Sequence, residues 1–165
     1  VPSIVTGLLV YAILVRPMGH FSGYAGAVAL ALIILPVVCR TTEDMLNLVP
    51  QGLREAALAM GARTHRVTFD VVFSAARTGL VTGVLLAIAR VSGETAPLLF
   101  TALNSPYWPQ GLSGPTANLT VSIYNFAMSP YEHWQRLAWA ASLVITFAMV
   151  GVIVLTRAWM NRRSA

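Results

Sequence analysis

The stretch from Leu53 to Phe73 reads LREAALAMGARTHRVTFDVVF, and it decides how the rest of the chain is interpreted. It lies in a region from Arg40 to Arg77 that holds five arginines when both ends are counted, between segments that are mostly apolar. Arginine-rich loops between apolar segments are typical of the cytoplasmic side of membrane proteins, because positively charged loops are retained inside the cell. The stretch is therefore interpreted as a cytoplasmic insert.

The composition points in the same direction. Hydrophobic residues make up 56% of the 165 residues and charged residues only 10%, whereas soluble domains carry about 25% charged residues. All eleven basic residues are arginines, and they interrupt apolar runs instead of forming one exposed face. A nucleic-acid partner is therefore not expected. The composition predicts an all-α membrane protein in contact with membrane lipid.

Four apolar segments approach the length of about 20 residues that a membrane-spanning helix needs. They cover about residues 1–15, 24–39, 78–103 and 137–156. The basic loop 40–77 and the arginines after Thr156 are expected inside, which places the loop 104–136 outside and the C-terminus in the cytoplasm. The chain opens within an apolar run that has no basic segment before it, so we expect it to lack N-terminal helices.

The insert itself has the pattern of a short helix. Leu53, Ala56, Ala57 and Met60 recur at helical spacing and form one small apolar face. Gly61 follows, where a glycine can adopt the left-handed conformation that ends a helix. The alanines favour a surface that another protein approaches closely, and the alternative is an amphipathic helix that lies on the membrane.

Two more helices can be predicted from local signals. A pattern after Thr64 places four apolar residues on one face, namely Phe69, Val72, Phe73 and Ala76. Near the end of the chain, Ser129, Pro130 and Glu132 match a capping box, in which serine is the N-cap and proline the first helical residue. We therefore expect the last helix to begin at Pro130.

Two charged residues, Arg90 and Glu94, fall inside the third apolar segment. A charge at this depth costs several kcal/mol unless it faces protein or water. The two residues are four apart and would share a helix face. Pro97 cannot donate to the carbonyl of Gly93, so the helix is expected to break or bend between them. The charges fit either a buried structural ion pair or a functional pathway, since a broken helix is tolerated where it lines a cavity.

The insert resembles the EAA loop of the permease subunits of ABC importers. That loop has the pattern E-A-A, three residues, G, nine residues, then I-x-L-P, and Glu55-Ala56-Ala57 and Gly61 match its first half. In the second half Val71 stands for the isoleucine, Phe73 for the leucine and Ser74 for the proline. The runs PSIV at 2–5, RVSGETAPLL at 90–99 and SIYN at 122–125 are similar to the phosphate-specific branch of this family.

The resemblance implies a MetI-like permease fold of the type I importers. It implies that Glu55, Ala56, Ala57 and Gly61 belong to a coupling helix, which contacts a pair of ATP-binding subunits. ATP and magnesium would be bound by those partners, and no cofactor is expected in this chain. The further partners would be a second permease subunit and an external phosphate-binding protein, in the inner membrane of a bacterium.

The resemblance also assigns roles within the third apolar segment. Arg90 and Glu94 would lie on the transport pathway, beside the helix break that the chemistry of Gly93 and Pro97 predicts. The guanidinium group of an arginine can hold two phosphate oxygens at once. Two other functions stay open, a permease for another oxyanion and a membrane anchor that transports nothing. An intramembrane enzyme would need a nucleophile beside a base, and the sequence offers no such set.

Overall fold

The computed structural model describes residues 2–107 and 111–164. Within these ranges the chain consists of helices and connecting turns, with no strand. The helices are α1 Ser3–Met18, α2 Gly23–Asn47, α3 Gln51–Ala59, α4 Thr64–Ser92, α5 Ala96–Thr101, α6 Leu119–Ala127 and α7 Glu132–Ser164. Two of them contain a π-helical turn, at Tyr11–Val15 in α1 and at Val67–Val72 in α4. The expectation of an all-α membrane fold is confirmed.

Three helices in the described part of the chain are long and apolar enough to cross a membrane, and they are α2, α4 and α7. α1 is apolar but shorter. Only 6% of the most apolar part of α7 is buried, compared with 22% for α4. In this chain α7 therefore leaves most of its surface to lipid or to another protein.

The helices α4 and α5 run antiparallel to α2 and pack against it, and glycines lie at their contacts. Gly83 of α4 lies against Thr41 of α2, near the end of that helix. At the other end of α2, a Cβ atom on Gly26 would lie 2.9 Å from the Cβ atom of Ala102, just after α5. The glycines let the backbones approach closely, as is common where membrane helices pack.

Helix α1 packs against α5 and against the first half of α2. A Cβ atom on Gly7 would lie 2.6 Å from the Cα atom of Pro97, so only glycine fits at this crossing. Next to it, a small apolar cluster joins α1 to α2, and its buried members are Val10, Val15, Ala25 and Ala29. The short helix α5 is therefore held between α1 and α2.

The first backbone N–H groups of α2, which have no partner within the helix, are satisfied from elsewhere in the chain. Ser22 is the N-cap, and its hydroxyl accepts a hydrogen bond from the Ala25 N–H at 3.2 Å. The N–H of Gly23 donates to the Gly114 carbonyl, and that of Tyr24 donates to the Leu112 carbonyl, both at 3.2 Å. The loop before α6 thus closes over this end of α2.

The last helix does not begin where the capping box predicts. It begins at Glu132, because Ser129 and Pro130 form a turn before it. The Ser129 hydroxyl accepts from the Tyr131 N–H at 3.3 Å, and the Ser129 carbonyl accepts from Gln135 Nε2 at 2.9 Å. The serine therefore stabilises the turn, and the prediction that Pro130 is the first helical residue is wrong.

The apolar face predicted for the start of α4 is also partly wrong. Val67, Val72 and Ala76 are buried there, whereas Phe69 is 67% exposed. The spacing of five residues between Val67 and Val72 matches the i→i+5 hydrogen bonds of the π-helical turn that covers them. This turn rotates the helix relative to the regular period from which the face was predicted, and so Phe69 points away from the core.

Candidate functional site

The third apolar segment is interrupted by a break between two helices. α4 ends at Ser92 and α5 begins at Ala96. The N–H of Gly93 donates to the Arg90 carbonyl at 3.3 Å, and that of Glu94 donates to the Val91 carbonyl at 3.0 Å. These i→i−3 bonds close the last turn of α4. The segment 78–103 is thus two helices with the break at residues 93–95.

Pro97 has a different place from the one the sequence suggested. It lies in the first turn of α5 and is buried. At that position a proline is well tolerated, because its missing N–H would have no partner inside the helix. Pro97 is therefore the second residue of the second helix, and the end of the first helix is set by the turn at Gly93.

The break lies beside α2, within the part of the chain expected to cross the membrane. Gly83 contacts Thr41 on one side of it, and Leu98 lies beside Gly26 on the other. Arg90 and Glu94 fall between these two contacts along the chain. Both residues are therefore at a depth between Thr41 and Gly26 of α2, as a candidate pathway residue must be.

Arg90 and Glu94 do not form the pair that their spacing suggested. Because α4 ends at Ser92, Glu94 lies outside the helix, and the expectation of a shared helix face is wrong. In the part of the chain that the structure describes, the ion pairs join Arg40 to Glu43 and Asp44, and Arg136 to Glu132. Arg90 is exposed on the surface of this chain, and Glu94 is half-buried.

The backbone of the break is held by the start of α6. Thr120 is only 9% exposed, and its Oγ1 donates to the Glu94 carbonyl at 3.2 Å. Asn118 is the N-cap of α6, and its Oδ1 accepts from the Val121 N–H at 2.9 Å. The amide of Asn118 also donates to the Leu103 carbonyl at 2.9 Å. Asn118 and Thr120, which we name the α6 clamp, thus hold carbonyls on both sides of α5.

Leu103 has a conformation that leucine seldom adopts. Its φ of 54° lies in the left-handed region, and such strain persists only when the surroundings fix the backbone. Its N–H donates to the Leu98 carbonyl at 2.9 Å, and its carbonyl is the one held by Asn118. The α6 clamp therefore stabilises a strained end of α5.

The sequence interpretation missed the α6 clamp. Asn118 could have been recognised as an N-cap, because asparagine is preferred there. The sequence offers no signal that would join Thr120 to the carbonyl of Glu94, since the two residues meet only through the packing of α6 against the break. Main-chain partners of this kind are not encoded in a residue spacing.

The predicted coupling segment is a helix, α3, followed by a glycine turn. Gly61 has a φ of 83°, as the C-terminal glycine of a helix commonly has. Glu55 and Ala56 are exposed. Ala57 is half-buried and packs against a core cluster formed by Val49, Val67, Val72 and Ala76. The alanine pair therefore divides, with Ala57 packed against this chain and Ala56 exposed on its surface.

Arg54 connects α3 to the end of α2. Its Nη2 donates to the Leu46 carbonyl at 2.7 Å, in the last turn of α2. A cation is favoured at this place, because the C-terminal end of a helix carries partial negative charge. Its Nε is buried and has no partner among the described residues. The sequence interpretation treated Arg54 only as a signal of membrane topology and missed this contact.

A helical chain with several apolar spans, a helical insert between two of them and a charged break in the second of those two has the construction of a membrane transport permease. The chain belongs to the family described as binding-protein-dependent transport system inner membrane component, which matches residues 1–163. The recognition of an ABC-importer permease in the sequence is thereby confirmed.

Several curated proteins are similar to the chain along nearly all of its length. A phosphate transport system permease protein PstA from Yersinia pestis is 54% identical over 94% of the chain and 53% of the relative. The protein of the same name from Pasteurella multocida is 51% identical over 99% of the chain and 58% of the relative. The chain thus spans about half the length of the curated relatives it matches.

The similarity extends to an archaeal protein. A probable phosphate transport system permease protein PstA from Methanocaldococcus jannaschii is 40% identical over 93% of the chain and 55% of the relative. No solved structure gives a significant match to the chain.

Proposed function

We propose that this chain forms part of the permease subunit of an ATP-driven importer that carries inorganic phosphate across a bacterial inner membrane. The relatives that support the substrate are named as phosphate transport permeases. The structural observation that carries the proposal is the break at residues 93–95, with Arg90 exposed on one side of it and Glu94 within it.

Arg90 is assigned to the phosphate pathway. A charged side chain at membrane depth needs protein, water or a counter-ion around it. In the described part of the chain the Arg90 side chain makes no ion pair and no hydrogen bond, although it is exposed. A passing phosphate would supply the missing partner, because the planar guanidinium group can donate to two of its oxygens.

Glu94 follows Arg90 along the break and has a different task. Its carboxylate repels phosphate and attracts Arg90, so it competes with the anion for the same guanidinium group. Arg90 and Glu94 form no ion pair in this structure. A change in the shape of the break would bring the two side chains together and let the ion pair form. Gly93 and Pro97 delimit the segment that would move. Closure of the pair would release the bound phosphate.

The exposed side of α3 is assigned to coupling with the ATP-binding subunits, with Glu55 and Ala56 in contact and Gly61 ending the helix. Ala57 supports this surface from below, since it packs on the core cluster. ATP and magnesium would be bound by PstB-like partner subunits, with no cofactor in this chain. The other proposed partners are a PstC-like second permease subunit and a PstS-like external phosphate-binding protein, with the C-terminus in the cytoplasm.

A permease for another oxyanion would use the same arginine, because sulfate and related anions offer similar oxygen atoms. A membrane anchor without transport would have no use for a break that carries Arg90 at membrane depth. The phosphate assignment is preferred over another oxyanion because of the names of the relatives. Competition by sulfate in the uptake experiment below separates these two substrates.

The proposal is tested by phosphate uptake with Arg90 variants of the full-length protein, in cells that have no other phosphate importer. Arg90→Lys keeps the charge but removes the planar fork, and the loss of charged hydrogen bonds predicts an uptake about tenfold lower. The double variant Arg90→Met with Glu94→Leu should abolish uptake, although it removes both charges from the membrane. Arg136→Met is the control, because Arg136 only contacts exposed Glu132.

Membrane levels and assembly with the partner subunits are measured for every variant. Near-normal uptake by the apolar double variant would contradict the pathway role of Arg90. Uptake that excess sulfate suppresses as strongly as unlabelled phosphate does would instead favour the broader oxyanion permease.

A further inference from the structure

We propose that Thr120 is a positioning residue for transport, which holds Glu94 in place through its main-chain carbonyl. This inference rests on the proposed pathway role of Glu94. It starts from the hydrogen bond of 3.2 Å between Thr120 Oγ1 and the Glu94 carbonyl. Thr120 is only 9% exposed, and the bond it makes to the Glu94 carbonyl is partly buried.

The hydroxyl group of Thr120 has one hydrogen atom and two acceptors within reach. The second acceptor is Asn118 Oδ1, at 3.3 Å. Asn118 Oδ1 already accepts from the Val121 N–H at 2.9 Å. Among the described residues the Glu94 carbonyl receives no hydrogen bond other than the one from Thr120. A partly buried carbonyl that loses its donor is destabilised, whereas Asn118 Oδ1 keeps its bond from Val121, so the Thr120 hydroxyl is expected to donate to Glu94.

This bond matters because Glu94 has no regular helix around it. The residue lies between the end of α4 and the start of α5, and only its N–H is fixed from the side of α4. The bond from Thr120 fixes its carbonyl as well. With both main-chain groups held, the direction in which the Glu94 side chain leaves the backbone is set.

The α6 clamp also joins the two ends of α5. Thr120 holds the carbonyl just before α5, and Asn118 holds the Leu103 carbonyl just after it. The short helix is thereby tied to the first turn of α6 at both ends. A displacement of α6 would therefore move Glu94 together with α5.

The uncharged nature of the clamp suits its position beside an anion pathway. A lysine or arginine at residue 120 could hold the same carbonyl, but it would also attract phosphate and pair with Glu94. A hydroxyl group holds the backbone without either effect. We infer that Thr120 keeps Glu94 available to Arg90 while adding no charge to the pathway.

The test compares Thr120→Val with Thr120→Ser in the full-length protein, assembled with its partner subunits. Valine has nearly the same shape without the hydroxyl group, and we expect the maximal rate of phosphate uptake to fall about tenfold, as for the loss of the donor to a buried carbonyl. The phosphate concentration at half-maximal rate should change less than about twofold, since the external binding protein captures the anion before it reaches this site. Serine should restore most of the rate.

The matched control is Thr146→Val. The Thr146 hydroxyl is exposed on α7 and only donates to the Ser142 carbonyl of its own helix. This variant should transport normally. If Thr120→Val does not accumulate in the membrane, Thr120→Ala removes the same hydroxyl group with less bulk and is measured in its place. Normal uptake by the hydroxyl-free variant, with Glu94→Gln defective, overturns the inference and leaves the pathway role of Glu94 intact.

A double-mutant cycle with Glu94→Gln separates positioning from a general structural role. If Thr120 acts through Glu94, removing the Thr120 hydroxyl from the Glu94→Gln protein causes little further loss of uptake. Independent, multiplying losses would overturn the inference, because Thr120 would then only stabilise the fold. Normal uptake by Glu94→Gln alone would overturn the proposed pathway role of Glu94, and the inference with it.

Discussion

At the break between α4 and α5 and at the turn between α2 and α3, side chains donate hydrogen bonds to main-chain carbonyls, but the donors at the two places differ in charge. At the break, the neutral groups of Asn118 and Thr120 hold the carbonyls of Leu103 and Glu94. At the turn, the charged group of Arg54 holds the carbonyl of Leu46.

The difference follows from the depth of the two regions. The turn lies in the arginine-rich insert expected on the cytoplasmic side, where a guanidinium group keeps part of its hydration, and a charged donor makes the stronger hydrogen bond. The break lies along the chain between the contacts with Thr41 and Gly26 of α2, in a segment expected to cross the membrane, where each additional charge costs several kcal/mol unless it is compensated. At that depth the fold uses hydroxyl and amide groups, and Arg90 and Glu94 are left as charges for a function.

The largest effect on stability is expected from Gly7→Ala, close to the break. The new Cβ atom would lie 2.6 Å from the Cα atom of Pro97, and a backbone atom cannot move aside easily. We expect the free energy of unfolding of the variant to fall by about 1–3 kcal/mol, as is typical of substitutions that overpack a core. Thermal unfolding in detergent and the amount of protein in the membrane measure this loss.

Gly151→Ala is the control for that variant. Among the described residues, no atom outside the adjoining backbone of its own helix lies within 4 Å of the added Cβ atom. The variant should therefore unfold at the same temperature as the unchanged protein or at a slightly higher one. If Gly7→Ala and Gly151→Ala unfold at the same temperature, α1 and α5 are not packed as tightly as described.

An intermediate effect is expected from Arg54→Met at the turn. The variant removes one of two donors to the Leu46 carbonyl, which also accepts from the Val49 N–H at 3.3 Å. Because Arg54 is only half-buried, the loss of unfolding free energy should be about 1 kcal/mol, less than for a fully buried charged bond. Chymotrypsin should cut more rapidly near Phe69, in the part of α4 that belongs to the insert, while α2, α7 and the rest of α4 stay protected. Arg40→Met is the matched control, since Arg40 only pairs with exposed Glu43 and Asp44.

Exposed ion pairs of that kind contribute at most about 1 kcal/mol, and often nothing measurable. The cleavage rate of Arg40→Met should therefore equal that of the unchanged protein. Equal cleavage of both arginine variants and the unchanged protein would show that Arg54 does not hold the turn, and the contrast between the two regions would fail.

The smallest effect on stability is expected from Ala56→Trp, which should change the free energy of unfolding by less than about 0.5 kcal/mol, as surface substitutions do. The indole ring would project from α3 and keep an ATP-binding subunit away, so phosphate-stimulated ATP hydrolysis should be lost. Ala57→Trp is the informative comparison, because it enters the core cluster and should destabilise the protein itself. Normal phosphate-stimulated ATP hydrolysis by the Ala56→Trp protein would show that this face of α3 does not contact the ATP-binding subunits.

Much of the architecture follows from the sequence because it depends on local composition. The apolar segments, the arginine distribution and the glycine at residue 61 are local signals, and the all-α membrane fold and the permease family are confirmed. The coupling role of α3 and the pathway role of Arg90 stay predictions. They concern partners and a substrate, and the structure contains one chain.

The parts that the sequence did not predict depend on distant packing or on a change of helical period. The π-helical turn in α4 rotates the buried face after Val67. A prediction that assumes a constant helical period therefore places Phe69 on the buried face, whereas it is exposed. The turn after Ser92 separates Arg90 from Glu94, although their spacing fits a helix pair. Neither the residue types nor the spacing in the sequence predicts the contacts of Arg54 and Thr120 with main-chain carbonyls.

The start of α2 has a consequence for the order in which the protein is made. Its first N–H groups donate to carbonyls of Leu112 and Gly114, which belong to the second half of the chain. At a synthesis rate of about 5–20 residues per second, these carbonyls leave the ribosome several seconds after Gly23 does. During that interval the N–H groups of Gly23 and Tyr24 lack these carbonyl partners, and water can satisfy them. Insertion of α2 can therefore precede the closing of this end of the protein, and a ribosome stalled before Leu112 would leave it open.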